Sequence, residues 1–187
     1  ALPIWGTSDY IDNTFVYDKF FNEYYSEGIE KILKLRISEA HLTQNVNILD
    51  GRYLLFNHMT SAENITYKTN EIFFENNNSI VCVPYNIELE HWVGLIFEKD
   101  ENKILIKYID PENKPIPEIL INDLIMAWKS IGYAEIKVLS VLTDTQRSNN
   151  CGPEVIEGFM EYLTGYRVPQ GEAVLYHSQL LEEELLG

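Results

Sequence analysis

The chain has 187 residues, 45% of them hydrophobic and 12% aromatic, enough apolar material for one compact domain with its own core. Its 14 basic side chains against 29 acidic ones leave a formal net charge of −15, which repels a phosphate backbone and favours partners with a basic patch or tail. No nucleic acid is therefore expected as a partner. No run approaches the roughly 18 consecutive apolar residues of a membrane span, and no basic-then-apolar signal opens the chain, so the expectation is a soluble protein.

Residues 1–187 are expected to form a single domain, and the absence of an initiator Met before Ala1 fits a piece of a larger protein. From Asn13 to Leu42 the apolar residues fall at helical spacing, with Gly28 predicted to separate two helices or bend one. Residues 43–79 are polar and mixed, with strand-like pieces "RYLLF" and "EIFF", and 36–80 is the expected site of a variable insertion. The pattern then sharpens into the strand-length runs "IVCVPY", "HWVGLIFE" and "KILIKYID". Apolar residues occupy both parities in these runs, which implies a sheet covered by helices on both faces. "LINDLIMAWKSIG" reads as a helix stopped by Gly132, "AEIKVLSVL" as a strand, and "VLYHSQLLEEELL" as a C-terminal amphipathic helix. The predicted class is α+β, a central mixed sheet flanked by helices.

The chain has two cysteines, too few for a disulfide framework, and no CxxC, HExxH or Gly-rich phosphate loop, so no metal and no cofactor are expected. Cys82 lies in an apolar run and reads as a small core residue. Cys151 is different. In "SNNCGPEVIEGFMEYLTG" the apolar residues are helically spaced, Pro153 suits a first turn, and Gly165 ends the helix. Cys151 then stands at a helix N-terminus, where free amides and the helix dipole favour a thiolate. A buried helix-start cysteine is the alternative, against which the polar Arg-Ser-Asn-Asn before it counts.

A base can be sought by register. If Lys99–Asn102 form a four-residue hairpin loop, Glu98 faces Lys103 and, further down the ladder, His91 faces Asp110. Directly opposed side chains share a face, so a carboxylate would meet an imidazole at the open end of the hairpin, fixing its tautomer. Taken alone, such a pair is more often a surface contact without chemistry. Gln146, five residues before Cys151, has an amide that could join backbone N–H groups in holding an oxyanion. His41, His58 and His177 have no carboxylate placed opposite them by a short hairpin.

Together "HWVGLIF", "YIDP" and "TQRSNNCG" resemble the clan CE cysteine proteases, which include Ulp1/SENP SUMO proteases, adenovirus protease and bacterial effector deubiquitinases. The run "TDTQRSNNCGPEVIEGF" is most similar to the deubiquitylase domains of Wolbachia cytoplasmic-incompatibility factors and their rickettsial relatives. The resemblance covers roughly residues 80–165 and implies a Ulp1-like fold. It implies that Cys151 attacks the carbonyl after a Gly-Gly tail, that His91 is the base, that Asp110 orients it, and that Gln146 serves the oxyanion hole. Gly152 and Trp92 would contact the substrate, Trp92 as a wall of a narrow tunnel or as a core residue. "IWGTSDYID" is similar to the family's opening, which makes Trp5 and Asp9 candidates. The implied partner is ubiquitin or polyubiquitin chains, with NEDD8 or SUMO as alternatives, in a secreted bacterial effector acting in the host cytoplasm or nucleus. Glu88 and Glu90 could meet the basic tail of ubiquitin, which SUMO lacks. A YopJ-like acetyltransferase is a rival with the same residue order, but it needs basic residues for an inositol phosphate.

Overall fold

The structure, a computed structural model, describes residues 17–18, 23–24, 26–49, 58–87, 91–143 and 151–187. A two-residue ladder pairs β1 (Tyr17–Asp18) with β2 (Glu23–Tyr24), so the helical spacing read from Asn13 onward becomes a helix only at α1, Ser26–Ala40. Gly28 lies inside the first turn of α1 and does not divide two helices. After β3 (Val46–Ile48) comes α2, His58–Glu75. This helix absorbs "EIFF", the second of the strand-like pieces: Phe73 is fully buried while its neighbour Phe74 is 92% exposed. That alternation belongs to one face of a helix, in line with buried Ile65 and Thr69, and not to a strand. The other piece, "RYLLF", lies outside the described residues.

The main sheet then follows as predicted: β4 (Ile80–Ile87), β5 (His91–Asp100), β6 (Lys103–Ile109) and β7 (Glu135–Val141), with α3 (Glu118–Ser130) before β7. The strand order is β3-β4-β5-β6-β7, with the β4–β5 and β5–β6 pairs antiparallel and the outer β3–β4 and β6–β7 pairs parallel. Helices α4 (Cys151–Thr164) and α5 (Ala173–Leu186) complete the chain. Gly132 and Gly165 follow α3 and α4 with φ of 105° and 80°, the left-handed conformation that ends a helix most readily when no Cβ is present.

Both faces of the sheet are covered, as the double parity of the strands requires. On one, Val81, Val83, Val93, Leu95, Phe97, Ile104 and Ile106 pack with α2 and α3, centred on Trp128, whose ring lies 5.9 Å from that of Phe97. On the other, Cys82, Trp92, Ile96 and Ile109 pack with Ile29, Ile32 and Leu33 of α1, Val155, Ile156 and Phe159 of α4, and Leu181 of α5. Each such buried side chain contributes about 1.5–3 kcal/mol relative to exposure. The two layers therefore fix the sheet as a rigid floor between them.

Candidate active site

The site is built at the end of the sheet where β5 starts and β6 stops. The hairpin joining them is tighter than the sequence suggested. Asp100 pairs with Lys103, so the loop is Glu101–Asn102 and not Lys99–Asn102, and Glu101 takes a φ of 53° in the turn. The whole register moves by two residues, and the last ladder pair is Gly94 with Ile109. His91 and Asp110 are thus diagonal neighbours beyond the ladder, not directly opposed. A shift of two keeps every side chain on its own face. His91 Nε2 and Asp110 Oδ1 accordingly meet at 2.7 Å.

Asp110 is held by its own local sequence. Asp110-Pro111-Glu112-Asn113 closes a turn, with the Asn113 N–H donating to the Asp110 carbonyl at 2.8 Å. The Glu112 N–H donates to Asp110 Oδ1, also at 2.8 Å. Asp at the first position and Pro at the second are the residues such a turn favours. Asn113 has a φ of 54°, which asparagine tolerates. Its side-chain amide then clamps the chain end that leads away from β7: Nδ2 donates to the Thr143 carbonyl at 2.6 Å and Oδ1 accepts from the Thr143 N–H at 3.1 Å. The turn carrying Asp110 is thereby tied to the segment that feeds α4.

Cys151 is the first residue of α4 and is half-buried. Its thiol lies close enough to the His91 side chain to favour the charged ring. Because Nε2 is engaged by Asp110, Nδ1 is the ring nitrogen left for the thiol. The Asp110 hydrogen bond, then the Cys151 side chain, raise the His91 pKa to about 10 against an opposing effect of burial. The imidazolium is therefore the resting form at neutral pH. Cys82 is the contrasting case, fully buried in the core, where desolvation pushes its thiol strongly up and leaves it inert.

Two glycines let α4 sit low on the sheet. A Cβ on Gly94 of β5 would lie 2.7 Å from the Phe159 ring, and one on Gly158 of α4 would lie 2.9 Å from Ile109 Cγ2. These close approaches set the height of α4 and hence of Cys151 at its end. A buried charged network holds the same helix from the other side. Glu157 is fully buried and accepts from Arg36 at 2.9 and 2.7 Å, from His177 Nε2 at 2.7 Å and from the Val168 N–H at 2.8 Å. Burial alone would raise the Glu157 carboxyl, but the His177 and Arg36 hydrogen bonds bring it down to about 2. Burial also keeps His177 in the neutral form, which donates its Nε2–H to Glu157. One turn nearer Cys151, Glu154 pairs with Arg167 at 2.7 Å.

Of the residues singled out in the sequence, the structure brings together His91, Asp110 and Cys151. Gly152 is buried as the second residue of α4. Trp92 is 4% exposed and packs in the core against α4, which agrees with the core alternative for it. Trp5, Asp9, Glu88, Glu90 and Gln146 lie outside the described residues. His41 ends up just past α1, far in sequence from any partner in this cluster, and His177 belongs to the Glu157 network. Sequence reasoning missed Glu112, Asn113 and the network of Arg36, Glu157 and His177. The Asp-Pro-x-Asn turn was a readable signal for Asn113. For Glu157 the signal was an acid embedded in an otherwise apolar helical face. Glu112 also brings a second carboxylate to the pair, since the donor atoms of His91, Asp110 and Glu112 all lie within 4.8 Å of one another.

No family model and no curated relative matches the sequence. Solved structures do. The SUMO protease Ulp1, with its catalytic cysteine oxidised to a sulfinic acid, aligns at a TM-score of 0.64 and 12% identity over 91% of this chain and 80% of that one. The Xanthomonas campestris effector protein XopD bound to ubiquitin aligns at 0.53 and 12% identity, over 83% of this chain and 89% of that one. The Rickettsia bellii effector protein RickCE aligns at 0.52 and 17% identity, over 65% of this chain and 52% of that one. The chain has the Ulp1-like cysteine protease fold, a mixed five-stranded sheet with flanking helices.

Proposed function

We propose that this chain is a cysteine protease that cleaves after the C-terminal Gly-Gly of ubiquitin, a deubiquitinase acting on ubiquitin chains. The observation that carries the reading is the cluster of Cys151, His91 and Asp110 at one end of a Ulp1-like fold, with the imidazole between thiol and carboxylate. Cys151 Sγ, its proton already carried by the His91 imidazolium, attacks the carbonyl carbon of the terminal glycine. The resulting oxyanion is held by the Cys151 backbone N–H and the Gln146 amide. Collapse expels the amine, which takes the proton from His91, and leaves a thioester. Water, deprotonated by His91, then releases the ubiquitin carboxylate and frees Cys151 Sγ beside the reprotonated ring. Asp110 holds the ring in one orientation and stabilises its cationic form throughout.

The choice of ubiquitin is supported by charge. A net charge of −15, with Glu88 and Glu90 just ahead of His91, complements the basic Arg-Leu-Arg-Gly-Gly tail of ubiquitin better than tails lacking arginine. NEDD8 and SUMO remain as the alternative substrates. XopD was solved with ubiquitin bound, and Ulp1 with the SUMO ortholog Smt3. Two of the structures similar in fold are bacterial effectors, which supports a secreted effector acting in a host cell and related to the deubiquitylase domain of the Wolbachia cytoplasmic-incompatibility factor. The test compares hydrolysis of fluorogenic C-terminal amides of ubiquitin, NEDD8 and SUMO. Ubiquitin amide is expected to be cleaved fastest, with the rate falling selectively in Glu88→Lys/Glu90→Lys. Faster SUMO cleavage, or acetyl transfer from acetyl-CoA in place of any hydrolysis, would overturn the reading.

A further inference from the structure

The second carboxylate beside the His91–Asp110 pair has no part in the chemistry above. Glu112 is placed there by the tight Asp110–Asn113 turn, which brings the side chains of residues 110 and 112 to the same imidazole. One imidazole nitrogen and two carboxylate oxygens from separate residues are a donor set for a borderline divalent cation. The dimensions agree. Around a zinc ion with bonds of about 2.0–2.2 Å, tetrahedral ligand atoms stand roughly 3.3 Å apart. Nε2 and Oδ1 now stand 2.7 Å apart, and the three donor atoms lie within 4.8 Å of one another. Slight opening of the first pair and a small inward swing of Glu112 close the set.

The cost of that swing is low. The present partner of Glu112 is Lys114 at 2.8 Å, and that lysine is 70% exposed, so the ion pair contributes little. Asp110 already has the support that a metal-ligating carboxylate requires, the Glu112 N–H on Oδ1. His91 is 20% exposed, which leaves the ring reachable from solvent. Among the described residues this is the sole group of three such side chains so arranged.

We propose that His91 Nε2, Asp110 and Glu112 form a site for a zinc-type divalent cation that reversibly inhibits the enzyme. The inhibitory role rests on the protease reading, whereas the binding does not. On uptake the cation replaces the proton that His91 shares with Asp110, and that proton leaves to solvent. With Nε2 on the cation the ring keeps a single N–H at Nδ1, a far weaker acid than the imidazolium, so it no longer protonates the leaving amine, and Asp110 is withdrawn from orienting the ring. Removing the cation with a chelator restores both.

The test uses Zn2+ alone on the full chain, with binding followed by competition against a chromophoric chelator. Cys151→Ser is expected to bind one equivalent as the wild type does, and Glu112→Gln to bind at least about tenfold more weakly. In hydrolysis assays, each variant compared with its own zinc-free rate, the half-inhibiting zinc concentration should rise by a similar factor in Glu112→Gln. If Cys151→Ser abolishes uptake and Glu112→Gln leaves it unchanged, the metal sits on the thiol and the site is wrong. Binding as expected in a protein that hydrolyses none of the amides would keep the site and sink the protease reading. Hydrolysis untouched by saturating zinc would sink the inhibitory role alone.

Discussion

His91 and Asp110 hydrogen-bond at 2.7 Å although they do not face each other across the ladder. The contact is diagonal, made by two side chains on the same face just beyond the last pair, Gly94 with Ile109. Its consequence is a cationic imidazole. With Asp110 and then Cys151 raising the His91 pKa to about 10, the ring keeps its proton well above the usual histidine range. A group raised from 6.5 to about 10 on folding contributes stability that is fully present below 6.5 and lost as pH rises through about 10. In Asp110→Asn the His91 proton resonances should titrate at distinctly lower pH, and kcat should fall roughly 10²–10⁴-fold with little change in KM. An unchanged His91 titration would show that Asp110 does not set its protonation.

Asn113 acts at a distance from the reacting atoms. Its two hydrogen bonds to Thr143 join the Asp110 turn to the segment ahead of α4. Asn113→Ala removes both, each contributing on the order of 1 kcal/mol. We expect kcat to drop about tenfold while the melting temperature falls only a few degrees. Asn113→Asp, which keeps the acceptor for the Thr143 N–H, should recover part of the loss. A fall in melting temperature without any loss of kcat would make Asn113 a purely structural residue.

The height of α4 offers a third prediction. Gly94→Ala places a methyl group 2.7 Å from the Phe159 ring in the present geometry, so the helix or the ring must move. Overpacking of this kind costs about 1–3 kcal/mol. Stability by urea denaturation should fall by that amount, and Phe159→Leu in the same chain should recover part of it. If the two changes are simply additive, the ring and the glycine are not in the contact described.

Glu157 carries the fourth. Its folded pKa of about 2 against an ordinary 4.5 means its stabilising contribution is complete above 4.5 and disappears as pH falls through about 2. Glu157→Ala strands Arg36 without its buried partner, a change that typically costs about 3–5 kcal/mol. The melting temperature at neutral pH should fall by roughly 6–20 °C. Replacing Arg36, Glu157 and His177 together with apolar residues of similar volume should restore most of it. A negligible shift in the single variant would contradict the network.

Much of this arrangement was legible in the sequence because side-chain periodicity is a direct imprint of burial. Strands β4 to β7 and helices α3, α4 and α5 all appear where apolar spacing placed them. Cys151 could be put at a helix start because Pro153 and Gly165 bracket the apolar run. The hairpin register was two residues off because "KDENK" contains no glycine to mark the turn, and Glu101 itself supplies the left-handed residue. The active-site pairing survived the error because the strand period is two. "EIFF" was read as a strand because four residues are too few to show a period, and only Ile65, Thr69 and Phe73 taken together reveal the helix. Tyr17–Asp18 and Glu23–Tyr24 form strands through pairing with each other, which no local pattern in "NTFVYDKFFNEYY" announces. Glu112 escaped notice because its importance lies in a turn that folds it back, not in its spacing.

Cys151, poised by His91 and Asp110, is proposed to attack the C-terminus of ubiquitin. The most direct measurement is intact-mass analysis of the domain after incubation with ubiquitin carrying a thiol-reactive C-terminal group, beside matched NEDD8 and SUMO reagents. One ubiquitin adduct is expected, mapped to Cys151, lost in Cys151→Ala and strongly slowed in Asp110→Asn. No adduct with any modifier, or an adduct that persists in Cys151→Ala, would contradict this role of Cys151.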